Sequence, residues 1–217
     1  TFKQMREALA QAPSLKATTK DMSDAQIMAA LGLPNVPAEG RFFPDTYHYS
    51  RGATDMSVLR AAQQMLQKKL DAAWAERAKE VPLKSIDEAL ILASIVEKET
   101  GLEADRTKVS GVFNNRLRIG MPLQTDPTVI YGLGDGFDGN LRKRDLTTDT
   151  PSNTYPRKGL PPPPIAMPGA PSIRAAIVPD ASKALYFVAR GDGSGGSVFS
   201  ETLDAHNRAV NQFQRKS

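Results

Sequence analysis

The segment from residue 85 to residue 100, SIDEALILASIVEKET, constrains the fold more than any other part of the chain. Ser85 and Glu88 have the spacing of a capping box, which predicts a helix that begins here and runs to about Thr100. Apolar residues cover almost its whole circumference: one face carries Ile86, Ala89, Leu90, Ala93 and Val96, and the opposite side carries Ile91 and Ile95. Because a helix of this kind is normally enclosed by protein, we expect the rest of the chain to pack around it.

Two glutamates stand at the end of this helix. Glu97 and Glu99 lie roughly 200° apart around the helix axis, so they cannot act as the two facing carboxylates of an ordinary glycosidase. At most one of them points into a cleft, where burial would raise its pKa toward the value that a general acid needs. We expect the other to form an ion pair with Lys98, Arg106 or Arg116. Periodicity alone leaves the choice open and places Glu97 nearer the apolar face.

The remaining segments predict further helices and one hairpin. Helical patterns or helix caps occur in residues 1–12, 23–31, 54–78, 104–120, 126–134, 171–177 and 202–214. The strings ALYFVA and SVFS, joined by RGDGSGG, predict a β-hairpin. Residues 135–171 are rich in loops and include a stiff proline-rich stretch. This order of elements predicts an α+β fold in which helices and short strands are mixed, and not a doubly wound α/β sheet.

Composition limits the classes of function that are open to this chain. The 217 residues are 40% hydrophobic and 24% charged, as in folded globular proteins. No apolar run approaches the roughly 20 residues of a membrane span. The chain has no cysteine, and His48 and His206 have no partner at ligand spacing, so the sequence predicts no metal and no other cofactor. The net charge is +4, and the lysines and arginines are scattered along the chain, which argues against nucleic acid as a partner. GDGSGG is interpreted as a hairpin turn, since it opens no helix.

Five strings resemble the endolytic murein transglycosylase family, also called YceG-like: EGRFFPDTYHY, ILASIVEKET, VFNNRLRIGMPLQTDPTVIYG, SNTYPRKGLPPPPIAMPGAPSIRAA and LYFVARGDGSGGSVFSETLDAHN. The resemblance covers about residues 38–210. It implies a catalytic domain over residues 38–217, preceded in residues 1–37 by a joining segment or the tail of a small LysM-like domain. It also implies that this chain is a piece of a longer protein, which a single N-terminal helix anchors at the periplasmic face of the inner membrane.

The resemblance implies an activity as well. Family members cleave peptidoglycan between N-acetylmuramic acid and N-acetylglucosamine and leave a 1,6-anhydromuramyl end, with peptidoglycan synthases as possible partners. Their catalytic glutamate lies in the EKET string. We assign it to Glu99, with Glu97 as the alternative. One carboxyl group suffices for this reaction, because the C6 hydroxyl of the sugar is the nucleophile and is held close by the ring.

Other side chains in these strings are assigned to the cleft. Amides and phenols can hydrogen-bond acetamido sugars, and tyrosine rings can stack on them. The expected substrate-binding residues are therefore Gln124, Tyr131, Asn153 and Tyr155. Asp126 is explained by an N-cap role, with catalysis as the alternative. Asp45 and Tyr47 either border the cleft or pack in an aromatic cluster, and Asn114 and Arg116 are expected to brace the glutamate helix.

Two alternative functions remain open at this point. The first is a non-catalytic peptidoglycan-binding scaffold that presents the same cleft. The second is a hydrolase of the same bond, which would need a second catalytic carboxylate.

Overall fold

The computed structural model describes residues 1–214 and shows the predicted α+β fold, with a two-stranded antiparallel sheet in these residues. The elements in chain order are α1 (Phe2–Gln11), α2 (Asp24–Ala30), α3 (Asp55–Ala75), α4 (Ile86–Glu99), α5 (Glu103–Ile119), α6 (Asp126–Leu133), α7 (Lys143–Thr147), α8 (Ala170–Ile177), β1 (Tyr186–Ala189), β2 (Ser197–Ser200) and α9 (Leu203–Phe213). A short 3₁₀ turn, Gly134–Gly136, follows α6. Within residues 1–214, no helix is both long and apolar enough to cross a membrane.

Helix α4 lies at the centre, as its sequence predicts. All residues from Ala89 to Val96 are buried, and the helix packs against α3, α5, α6 and α8. The Ser85 side chain accepts the Glu88 N–H, which confirms the N-cap. The Glu88 carboxylate accepts the N–H of Lys84 at 2.6 Å, one residue before the position that a complete capping box requires. The helix is thus fixed in register at its start, and this fixes the position of Glu99 at its end.

The first 37 residues pack against the residues that follow them. Phe2 of α1 stacks on Phe42 with ring centroids 4.9 Å apart, and the Phe2 N–H donates to both carboxylate oxygens of Glu39 at 3.1 Å. A second hydrophobic cluster joins α1 and α2 to α3; its buried members are Phe2, Ile27, Met28, Leu31, Ala38, Phe42, Leu59 and Ala62. The boundary between residues 37 and 38 and the LysM-like assignment stay predictions. Residues 215–217 of the predicted catalytic domain lie outside the described residues.

The predicted hairpin is present, with Tyr186 opposite Ser200 and Ala189 opposite Ser197. Phe187 of β1 meets Phe113 of α5 edge to face, with centroids 5.9 Å apart. This contact holds the hairpin against α5, and α9 packs on both strands. Helix α7 was not predicted from the sequence, because five residues are too short to show helical periodicity.

Candidate active site

Glu99 is the last residue of α4, and a surface cavity of about 430 Å³ lies beside it. The cavity forms where five segments meet: the end of α4, helix α5, the loop before α6, the loop after α7 and the pair formed by β1 and α9. Its lining residues are Glu99, Phe113, Arg116, Leu123, Gln124, Asp126, Tyr155, Tyr186, Phe187, Leu203, His206 and Asn207. Of the side chains assigned to the cleft from sequence, the structure brings Glu99, Gln124, Asp126 and Tyr155 together here.

The surroundings of Glu99 favour its protonated form. Burial raises the pKa of the Glu99 carboxyl above its ordinary value, and the negative charge of Asp126 acts in the same direction. A hydrogen bond from the Thr125 hydroxyl and the positive charge of Arg116 oppose this rise, because both stabilise the carboxylate. The net result is a carboxyl group that retains its proton to higher pH than an exposed glutamate, with two groups in place to stabilise the anion once the proton is gone.

A buried set of threonines fixes the loop that carries Thr125. The Thr125 N–H donates to the Thr154 hydroxyl at 3.1 Å, and the Thr128 hydroxyl donates to the Thr125 carbonyl at 2.7 Å. The hydroxyls of Thr128 and Thr154 lie 2.8 Å apart. Gln124, the residue before Thr125, has a φ of 50°, a left-handed conformation that is unfavourable for a residue other than glycine. Its N–H donates to the Thr154 carbonyl at 3.0 Å, so the same partner holds this strained residue at the cavity.

Asp126 has a different role from the one its sequence position suggests. Thr125, and not Asp126, is the N-cap residue of α6, and no side-chain hydrogen bond caps this helix. Asp126 stands inside the first turn, where its Oδ1 accepts the hydroxyl of Tyr155 at 2.5 Å. Burial and this bond raise the pKa of Tyr155, so its phenol stays protonated. The N-cap explanation of Asp126 is therefore wrong, and its carboxylate belongs to the cavity wall.

Glu97 lies on the other side of α4. Its Oε2 accepts the hydroxyl of Ser172 at 2.6 Å and the N–H of Gly169 at 3.1 Å. Gly169 is the N-cap residue of α8 and has no side chain to cap that helix, and the Glu97 carboxylate places a negative charge at this helix N-terminus, where it is favourable. Arg106 Nη1 stands 3.7 Å from the same oxygen, which confirms the predicted ion pair with one of the nearby cations. Glu97 thus joins α4 to α8.

Four further side chains assigned from sequence lie away from the Glu99 cavity. The Asn153 amide is buried and donates to the carbonyls of residues 145, 146 and 148, so it shapes the loop next to Tyr155. Tyr131 lines two other cavities, on the side of α6 near Glu39. Asp45 and Tyr47 line a separate cavity of about 530 Å³ together with Glu97. The Tyr47 hydroxyl donates to the Phe43 carbonyl at 2.6 Å, and burial raises its pKa to about 12.

One wall of the cavity, formed by residues of α5, β1 and α9, was not predicted from the sequence. The sequence predicts that Arg116 braces the glutamate helix. In the structure its guanidinium instead donates to the carbonyl of Leu185, just before β1, and to that of Leu123, before α6, and it lines the cavity. Tyr186 lies beside it, 5.4 Å from ring centroid to guanidinium carbon, and stacks on His206 at 5.2 Å between centroids. Burial and the charge of Arg116 lower the pKa of His206, which keeps it neutral near pH 7. Asn207 completes this wall. The signal available was the polar pair His206 and Asn207 in the LDAHN string.

Asn114, the other expected brace, forms no side-chain hydrogen bond with α4 among the described residues. Its Nδ2 donates to the carbonyl of Ser110 at 3.0 Å and to that of Ala176 at 3.2 Å, so it joins α5 to α8. Within residues 1–214, no three His, Asp or Glu side chains are grouped as metal ligands would be.

Fold and site together define a mainly helical α+β domain with one proton-retaining glutamate at a helix end, in a cavity lined by polar and aromatic side chains and by the charged groups of Arg116 and Asp126. The chain belongs to the YceG-like family, whose sequence model matches residues 1–212, and this confirms the resemblance found in its strings.

Two curated relatives and one solved structure are similar to this chain. The endolytic murein transglycosylase of Bacillus subtilis (strain 168) is 40% identical over 178 residues, which cover 82% of this chain and 48% of that protein. The protein of the same name from Streptococcus pneumoniae serotype 2 (strain D39) is 33% identical, over 79% of this chain and 31% of that protein. The crystal structure of a YceG-like protein from Listeria monocytogenes has a TM-score of 0.70 and 32% identity, and covers 95% of this chain and 62% of that one. The chain thus spans about half or less of these two curated relatives.

Proposed function

We propose that this chain is the catalytic part of an endolytic murein transglycosylase. It would cleave the bond between N-acetylmuramic acid and N-acetylglucosamine and leave a 1,6-anhydromuramyl end. The observation that carries the proposal is the state of Glu99, a half-buried carboxyl with a raised pKa that faces a cavity able to admit sugar rings. The names of the relatives in Bacillus and Streptococcus support the same substrate.

In the first step, protonated Glu99 donates its proton to the glycosidic oxygen. The bond from C1 of the muramyl ring to that oxygen breaks, the leaving sugar keeps the electron pair as a hydroxyl, and C1 gains oxocarbenium character. Glu99 is now a carboxylate. Thr125 and Arg116 lower the free energy of this anion, since both lower the pKa of Glu99. They oppose protonation in the resting enzyme but stabilise the state that follows proton transfer.

In the second step, the C6 hydroxyl of the muramyl ring attacks C1 from within the same sugar. The Glu99 carboxylate accepts the hydroxyl proton, which restores the starting enzyme, and the new C1–O6 bond closes the anhydro ring. No water is consumed. Since the nucleophile is part of the substrate, its effective concentration is high without a second catalytic group.

The hydrolase alternative requires a second catalytic carboxylate, and the cavity contains one candidate for it. Asp126 is a second carboxylate in the cavity, close enough for its charge to raise the pKa of Glu99. A hydrolase would use such a group to activate water or as the nucleophile. One Asp126 oxygen already accepts the Tyr155 hydroxyl at 2.5 Å, which favours a role in holding Tyr155 against the cavity.

The test is the mass of the products. Purified glycan strands incubated with the chain should yield fragments lighter by one water than the hydrolysis products of the same bond. Fragments that contain the added water would establish the hydrolase alternative, and binding without fragments would establish the scaffold alternative. Asp126→Asn should still give anhydro ends if Asp126 only positions Tyr155. The periplasmic location at the inner membrane and the synthase partners stay predictions from the resemblance.

A further inference from the structure

Among the described residues, Arg116 is buried beside the proposed catalytic cavity without an ion-pair partner. The residue is 8% exposed, and its Nε and Nη1 donate to the main-chain carbonyls of Leu185 at 2.8 Å and Leu123 at 2.7 Å. Nη1 also reaches the Pro122 carbonyl at 3.3 Å. In the described part of the chain, no carboxylate forms an ion pair with this guanidinium, and its Nη2 donates to no protein acceptor.

A buried charge without an ion-pair partner is unfavourable, so a ligand that brings a carboxylate to this guanidinium would lower its free energy. The three carbonyls fix the guanidinium in one orientation and satisfy two of its nitrogens, but they supply no negative charge. Desolvation lowers the pKa of Arg116, although a guanidinium stays charged throughout the physiological range. Nη2 is the nitrogen left over, on a side chain that lines the cavity.

The other lining groups do not neutralise this charge when the enzyme is ready to react. Glu99 must hold its proton in that state, and its raised pKa favours this. Asp126 accepts the Tyr155 hydroxyl through one oxygen and, within residues 1–214, forms no ion pair with Arg116. His206 is neutral near pH 7 and contributes no charge of its own. Among the residues described, Arg116 is the only lysine or arginine that lines the cavity, so it is the one fixed positive charge that a ligand would meet there.

We propose that Arg116 forms a subsite for a carboxylate of the glycan ligand, and that this subsite distinguishes the muramyl ring from the neutral N-acetylglucosamine ring. The inference rests on the proposed function for the identity of the ligand. Muramic acid differs from glucosamine by a lactyl ether, whose carboxyl group is free on strands without peptides. On strands with peptides, the nearest carboxylates belong to the peptide. Guanidinium–carboxylate hydrogen bonds are among the strongest in proteins, so either source supplies the missing charge.

Titration calorimetry on the Glu99→Gln chain tests this without turnover of the ligand. Four ligands are compared: a tetrasaccharide with free lactyl carboxyls, the same sugar with each carboxyl converted to a methylamide, the same sugar with its peptides, and an N-acetylglucosamine tetramer. We expect at least one carboxylate-bearing ligand to bind about tenfold or more tightly than both the methylamide and the neutral tetramer. Whether the free-lactyl or the peptide-bearing sugar shows this preference identifies the source of the carboxylate.

A matched pair of variants tests whether Arg116 is responsible. Arg116→Gln in the same background should abolish the preference. Arg118→Gln should keep it, because Arg118 lies on the same helix, outside the cavity, and donates to the Glu80 carbonyl. A folded Arg116→Gln chain that keeps the preference would overturn the proposal. If that variant does not fold, the ligand series decides alone, since no other lysine or arginine of residues 1–214 lines the cavity.

Equal affinity for all four ligands would also overturn the proposal. This failure is distinct from failure of the proposed function, because binding and cleavage are measured separately. A native chain that gives anhydro ends from acid and methylamide strands at the same rate would keep the function and lose the subsite. A chain that cleaves nothing but prefers the carboxylate ligands would keep the subsite and lose the function.

Discussion

Replacing Thr125 with valine should increase the proton affinity of Glu99. The Thr125 hydroxyl donates to Oε1 of Glu99, and this is its one hydrogen bond within residues 1–214. Valine has nearly the same shape, and the main-chain bonds of residue 125 to Thr154 and Thr128 are independent of the side chain. The substitution therefore removes one stabilising contact of the carboxylate and leaves the loop in place.

The magnitude follows from the kind of bond that is lost. A hydrogen bond to a charged group is worth about 1.5–3 kcal/mol, and each 1.36 kcal/mol is a factor of ten in the ionisation equilibrium. The protonated form of Glu99 should thus gain roughly tenfold to one hundredfold over the carboxylate. Burial and Asp126 already favour this form, so the pKa of Glu99 should rise further above its ordinary value.

The assay is the pH dependence of glycan cleavage, combined with a carbon NMR titration of the Glu99 carboxyl. In Thr125→Val, the loss of activity on the alkaline side should move to higher pH, because the acid stays protonated longer. The maximal rate should fall, because the carboxylate that accepts the C6 proton is less stable. Thr125→Ser should restore both properties of the native chain. Superimposable pH profiles for the native and valine proteins would refute this account of Glu99.

Three further predictions concern residues away from the cavity. Glu97→Gln should lower the free energy of unfolding by about 1 kcal/mol, seen in denaturant titration, because it removes the charge that caps α8; an unchanged stability would contradict this role. Asp55→Asn should cost about 1–3 kcal/mol at neutral pH. Burial raises the pKa of Asp55, but four hydrogen bonds from Thr18 and Thr19 outweigh it and hold the folded pKa below its unfolded value. The stabilisation is therefore present above the unfolded pKa and lost as the pH falls through the folded one, so the variant should show a flatter acid-unfolding curve. Gly40→Ala should reduce stability by about 2–4 kcal/mol, since φ is 77° and the new Cβ would lie 2.4 Å from Cβ of Pro164. Gly32→Ala, with φ of 83° and nothing within 4 Å, is the control for backbone strain alone, and an equal loss in both would exclude the clash.

The sequence predicted those features that depend on neighbours along the chain. The enclosure of α4 follows from its apolar circumference, and the opposite directions of Glu97 and Glu99 follow from two residues of helical rotation. The hairpin follows from two short β-forming strings around a glycine-rich turn. The N-cap of α6 was assigned one residue too late, because Thr125 and Asp126 are both good capping residues and only the structure shows that Asp126 turns toward Tyr155.

The composition of the cavity depends on contacts between distant segments, which no local pattern contains. Arg116 and Tyr186 are 70 positions apart in the chain and meet only because Phe113 and Phe187 pack the hairpin on α5. Asn153 has a side chain suited to sugars, but its amide is used to satisfy buried carbonyls of its own loop. Residue type therefore indicates what a side chain is able to bind, and packing decides whether a ligand can reach it.

In the proposed reaction one carboxyl group, that of Glu99, performs both proton transfers. The most direct measurement is the initial rate of anhydro-end formation from purified glycan strands by Glu99→Gln and Glu97→Gln, each shown to be folded by its thermal unfolding. We expect Glu99→Gln to lose activity by about 10²-fold or more, since proton transfer from a positioned group contributes about that much. Glu97→Gln should stay within a few-fold of the native rate. Near-native turnover by Glu99→Gln, or loss of turnover in Glu97→Gln alone, would show that Glu99 is not the group that transfers the proton.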